Sequence, residues 1–140
     1  MLSFLAVAFS SCDNDAVNPD MLVGSWIDIQ GDTREVWQLR GSTDATAQSY
    51  HKDQNNPALL RRLELYQEGD TYRFNEYSLA RNETREYPIY EYGADFFKAR
   101  NTGILWPTDI EYRRVHQDTL IAVYSNNGLD PKTFVFKRLR

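Results

Sequence analysis

The chain has 140 residues, a formal net charge of -4, a pI near 5.1, and 41% hydrophobic and 14% aromatic content. This suits one globular domain with a single sizeable core and excludes collagenous or disordered compositions. The acidic balance argues against a nucleic-acid partner, which calls for a basic face.

The first element is an apolar run, Met1 to Phe9, closed by Ser10-Ser11-Cys12. It is shorter than the about 20 apolar residues that span a bilayer as a helix, and it matches a secretory h-region with a small-residue cleavage site. The run with Ser10-Ser11-Cys12 resembles the lipobox of bacterial lipoproteins, with Phe9 where Leu is commoner and no Lys or Arg ahead of it. The resemblance implies a truncated lipoprotein signal peptide over 1–11 and a Cys12 that is acylated and anchors the chain to a membrane. Residues 12–21 then form a lipidated cysteine and a polar linker, since Asp13 to Asp20 is acidic and poor in core residues. Cys12 is the only cysteine. Its acylation leaves no thiol for a disulfide, a metal site or a nucleophile.

From Gly24 the pattern is period two, broken by turn residues, which predicts an all-β domain over 22–140. Ser25 to Gln30 is the first strand; Gly31-Asp32 offers a hairpin turn or a bulge, the turn dipeptide favouring two paired strands, and Glu35 to Leu39 resumes the alternation. Gly41 to Pro57 is dominated by polar residues and is expected to be a long loop, with a helical turn around Ala45 to Tyr50. Either a tolerated surface insertion or a lid over a cavity fits it. Arg62 to Gln67 and Thr71 to Asn75 flank a hairpin turn, Glu68-Gly69-Asp70. Thr84 to Tyr92, Phe96 to Ala99, Ile104 to Pro107 with Ile110 to Val115, Thr119 to Tyr124 and Thr133 to Arg138 supply the remaining strand regions. Eight or nine short strands joined by consecutive hairpins predict an antiparallel up-and-down barrel, which leaves no exposed edge.

Gly24-Ser25-Trp26 on the first strand, with Phe134-Val135-Phe136-Lys137-Arg138 on the last, resembles the lipocalin pattern. With Asp118-Thr119-Leu120-Ile121 it is similar to small lipocalin-like lipoproteins of Bacteroides-type bacteria. The resemblance implies a barrel closed by Gly24, Trp26 and Arg138, the guanidinium lying across the indole. It also implies a cell-envelope location in a Gram-negative bacterium, lipid-anchored at the outer membrane.

Chemistry-bearing residues are few. His51 and His116 have no metal-ligand spacing, and no hydrolase, metalloprotease, phosphate-loop or EF-hand pattern occurs. No catalytic residue, metal or cofactor is expected, and Glu64, Glu76 and Glu111 read as cross-strand partners of arginines. Arg61-Arg62 reads as solvated strand surface. With Trp26 inward, Asp28 and Gln30 share its face, and Tyr112 and Arg114 share another. The candidate ligand site is therefore Asp28, Gln30, Tyr72, Phe74, Tyr112, Arg114 and Phe134. An amphipathic ligand would lay its apolar part on Tyr72, Phe74 and Phe134 and its polar end at Arg114, whose alternative is a pair with Asp28. Two functions follow: a membrane-anchored binder of a small amphipathic or hydrophobic ligand, or a non-catalytic structural or inhibitor-like interaction domain with a filled barrel.

Overall fold

The computed structural model describes residues 16–51 and 59–139. The expected signal peptide, the expected lipobox with Cys12, the first residues of the expected linker and the end of the 41–57 segment lie outside the described residues.

Ten strands form one closed sheet: β1 (Gly24–Asp28), β2 (Thr33–Arg40), β3 (Asp44–His51), β4 (Leu59–Glu68), β5 (Thr71–Ser78), β6 (Glu83–Tyr92), β7 (Phe96–Arg100), β8 (Asp109–His116), β9 (Thr119–Asn126) and β10 (Leu129–Arg138). Each pairs antiparallel with its sequence neighbours, and β10 returns to β1, so the topology is up-and-down and the sheet has no free edge. The count exceeds the expected eight or nine for one reason. β3 occupies the stretch expected to be a loop, pairing residue by residue with β2 from Arg40↔Asp44 to Thr33↔His51. The helical turn expected at Ala45 to Tyr50 is extended strand for the same reason: Ala45, Ala47 and Ser49 alternate inward. Of the strand region expected at Ile104 to Pro107 and Ile110 to Val115, only the second part is strand, in β8; the first part is a loop that contains Pro107.

Connections alternate between two ends. The base carries the turns after β2, β4, β6 and β8; the mouth carries those after β1, β3, β5, β7 and β9. At the base, the segment expected to be a solvated linker turns inward instead. A 3-10 helix, Pro19–Leu22, is capped by Asn18 and buries Met21 and Leu22, with Val17 beside them. Their apolar surface leaves water against the barrel's underside, which outweighs the polarity of Asp13 to Asp20.

The interior holds Trp26, Trp37, Leu63, Leu65, Phe74, Tyr87, Phe97, Ile110, Tyr112, Leu120 and Phe136, all essentially inaccessible to solvent. The outer face carries Gln38, Gln48, Arg62, Glu64, Lys98 and Glu111. Apolar inside and charged outside is the reverse of a membrane-spanning barrel. Among the described residues no helix is long and apolar enough to cross a membrane.

Candidate functional site

The base is sealed by the residues at which the first and last strands meet. Trp26 lies opposite Arg138 in register, and the guanidinium stands 4.3 Å over the indole. Arg138 donates from Nη1 to the Val23 carbonyl and from Nε to the Gln117 carbonyl, both at 3.0 Å. The indole N–H donates to the Leu22 carbonyl at 2.7 Å, tying the 3-10 helix to the seal. Gly24 has φ +142°, and a methyl group there would collide with the Arg138 guanidinium. Glycine is required on both counts.

Above the seal lies an aromatic floor. Trp37 meets Tyr112 edge-on at 5.9 Å, Phe97 stacks on Tyr112 at 5.5 Å, and Phe74 packs against both Phe97 and Tyr112 at 5.6 Å. Tyr72 packs edge-on against Tyr92 near the base. Three of the expected ligand residues, Tyr72, Phe74 and Tyr112, thus serve as packing within the barrel, with faces covered by other rings.

A polar belt surmounts this floor. Glu35, Ser49, Arg61, Glu76 and Tyr124 each stand two residues inside the mouth end of their strands, so the topology gathers them at one level. Register explains the crowding: Trp26, Glu35, Ser49, Arg61 and Ser78 follow one another across β1 to β5. The two serines beside Arg61 leave room for its guanidinium to turn inward. Arg61 Nη1 lies 3.3 Å from Glu76 Oε2 and donates to the Tyr124 hydroxyl at 3.2 Å. The Tyr112 hydroxyl donates to the Glu35 carboxylate, 2.8 Å from Oε1, and the Trp37 indole N–H reaches the same oxygen at 3.3 Å. Ser49 Oγ is buried without a hydrogen-bond partner. The Arg61 side chain keeps 19% of its surface accessible, and Phe134 stands half-buried against Tyr124 at 5.2 Å.

The electrostatics follow from one cation between two carboxylates in a desolvated space. Burial raises the Glu35 pKa; Arg61, Tyr112 and Trp37 oppose the rise, and the Glu76 charge adds to it. Burial disfavours the Arg61 charge, but Tyr124, Glu76 and Glu35 outweigh it and push its pKa well above the usual arginine value. Burial, then the Glu35 charge, drives the Tyr112 hydroxyl well above 10.0. Burial raises Tyr124 as well, against the pull of Arg61. The belt therefore holds a charged guanidinium and neutral phenols, with a carboxyl at Glu35 biased toward protonation.

The polar residues expected to form a ligand site are not assembled. Asp28 is buried, but its Oδ1 accepts the Gln30 N–H at 3.0 Å and its carboxylate packs on Gly31, so it braces the β1–β2 turn. Gln30 is exposed because β1 ends at Asp28 and the alternation stops there. Arg114 sits at the base, beside Asn18, Asp20 and Met21, and donates to the Gln117 carbonyl at 3.5 Å. No Asp28–Arg114 pair is possible, because the two stand at opposite ends of the barrel. Arg61, expected on the surface, faces in, while its neighbour Arg62 faces out. Glu76 pairs with Arg61 inside the barrel, and Glu111 meets Arg113 at 3.3 Å and Lys98 at 3.8 Å outside it. His51 is exposed, and His116 Nδ1 accepts the Asp118 N–H. Among the described residues no group of three or more His, Cys, Asp or Glu side chains is placed to hold a metal ion.

No protein-family model, curated protein or solved structure matches this chain.

Proposed function

We propose that the chain is an envelope lipoprotein, anchored through Cys12 at the outer membrane, whose lipocalin-like barrel binds a small amphipathic ligand at its mouth without catalysis or cofactor. The observation that carries this reading is the polar belt. A buried guanidinium–carboxylate cluster is a poor way to stabilise a core, because apolar residues of similar volume do as well or better. Its preorganised charge, the accessible edge of Arg61 and the unpartnered Ser49 hydroxyl suit a ligand's polar group instead. Phe134 and Tyr124 offer the adjoining apolar wall. The aromatic floor sets the depth, so the polar group enters first and stops at the belt.

The second reading, a filled barrel that acts as an interaction domain, is favoured by that same floor. Native mass spectrometry of protein purified from the envelope separates the two. Ligand binding predicts a bound mass that is lost in the double variant Arg61→Met/Glu76→Leu. Removing both members of the ion pair leaves Glu35 without its cation, but that carboxyl is already biased toward protonation and keeps the hydrogen bond from Tyr112, so this variant keeps its fold. A chain that carries no bound mass when purified intact from the envelope would leave the interaction-domain reading in its place.

A further inference from the structure

The two ends of the barrel differ in what their turns display. At the base the turns are Gly41-Ser42-Thr43, Gly69-Asp70, Gly93-Ala94-Asp95 and Gln117-Asp118, with no large apolar residue. At the mouth every described turn carries one at its tip or beside it: Ile29 after β1, Leu79 after β5, Leu105 and Trp106 after β7, and Leu129 after β9. Leu105 is 94% exposed and Leu129 68%. The base has exposed apolar residues too, Leu39, Val115 and Leu139, but none adjoins a turn, whereas Leu129 opens β10 immediately after the Asn127-Gly128 turn.

The β7–β8 loop is held so that Leu105 and Trp106 stay outside. Arg85 Nη1 donates to the Trp106 carbonyl at 2.6 Å, and the Tyr87 hydroxyl donates to the Pro107 carbonyl at 2.9 Å. Asn101 donates to the Glu86 carbonyl at 2.7 Å and accepts the Gly103 N–H at 2.9 Å. A loop fastened to β6 at three points, with a fourth bond bracing it internally, holds Leu105 away from the protein, where it is 94% exposed.

We propose that this rim docks the mouth of the barrel onto a lipid bilayer surface. The apolar residues stand on separate turns around a ring, with the polar belt between them. They are carried on or beside four separate turns rather than along one strand or helix face, the kind of surface a folded partner or helix fills. A fluid interface accepts each tip separately, with no matching shape, and tryptophan is the side chain that favours the headgroup level. Charge points to a zwitterionic surface: near the described turns Asp32, Glu83, Asp109 and Asp130 nearly offset Arg34, Arg81, Arg85, Arg100 and Lys132. The inference does not depend on a ligand in the belt, nor on lipid at Cys12, since the chain enters the barrel at the base.

Trp106 makes the test specific. Trp26 and Trp37 are buried, so in a vesicle assay only Trp106 can meet the acyl chains. The full chain carrying Cys12→Ala is mixed with phosphatidylcholine vesicles whose acyl chains are brominated near the headgroup. Trp106 emission should be quenched, and Trp106→Phe should abolish the quenching. Leu105→Asp and Leu129→Asp should each lower partitioning about tenfold or more, as loss of one buried leucine implies. Leu39→Asp at the base should leave it unchanged. Absence of quenching at saturating lipid would overturn the proposal, even if the chain sediments with the vesicles, since attachment would then be elsewhere and the rim free for a protein. An equal loss in Leu39→Asp and the rim variants would overturn it too.

Discussion

Removing the guanidinium of Arg138 while keeping its aliphatic stem tests how the barrel is closed. Arg138→Met loses the cation over the Trp26 ring at 4.3 Å and two hydrogen bonds to carbonyls at 3.0 Å. Hydrogen bonds from a charged donor contribute more than neutral ones, and a partly desolvated cation–π contact contributes ~0.5–2 kcal/mol. The ion pair with Asp118, 3.9 Å apart and partly solvated, adds little. Because methionine still covers the indole, the net loss should be about 2–3 kcal/mol. At a urea m-value of ~2 kcal/mol/M, the unfolding midpoint falls by about 1–1.5 M. Trp26→Leu should cost less than the ~3–5 kcal/mol of a full truncation to alanine. In a double-mutant cycle the two changes should couple by ~0.5–2 kcal/mol. Additive losses would refute the reasoning, since the ring and the cation would then stabilise the base independently.

Other consequences are as specific. Gly24→Ala should destabilise by about 1–3 kcal/mol or more, through its positive φ and the collision with Arg138. Gly41→Ala, at φ +72° with nothing within 4 Å, should cost only ~1 kcal/mol; urea midpoints that fail to rank this way would contradict the closure geometry. Leu22→Ala should cost ~2–5 kcal/mol if the 3-10 helix is part of the core, and a cost near zero would return residues 17–22 to the status of a linker. Burial raises the Glu35 pKa above 4.5, so between 4.5 and its native value the folded chain binds more protons than the unfolded one. This contribution is complete below pH 4.5 and is lost as pH rises through the native value; Glu35→Gln should flatten that decline in a pH series of urea midpoints, and an unchanged slope would count against a neutral-biased carboxyl.

The barrel was legible where large apolar residues alternate with polar ones, as in Leu63-Glu64-Leu65 and Tyr72-Arg73-Phe74, and where glycine marks the turns. The meeting of Trp26 and Arg138 was legible too, because closure of an up-and-down sheet must bring the first and last strands together. β3 was hidden because its inward residues are Ala45, Ala47 and Ser49, which register as weakly apolar or polar. Their size has a cause: Ala47 pairs with Trp37 on one side and Leu63 on the other, and a larger side chain would have no space between them. Asp28 was placed correctly on the inward face, yet the adjacent turn uses its carboxylate. Arg114 also lies on an aligned face, but alternation does not tell how high on the barrel a residue stands. That height depends on strand pairing, which local pattern leaves open.

The missed strand and the missed polar belt have one origin. Ser49 lies between Glu35 and Arg61 in register, and Ser78 lies on the far side of Arg61. Small inward residues on neighbouring strands are what allow a long cation to turn into a closed barrel and reach Glu76 and Tyr124. The composition that makes Gly41 to Pro57 look like a loop is therefore also what makes space for the site. In an up-and-down barrel, a stretch of alternating alanine and serine marks where long inward side chains stand on the flanking strands. Read with that rule, the Ala-x-Ala-x-Ser of Ala45 to Ser49 points to long inward partners on β2 and β4, and Trp37 and Arg61 are those residues.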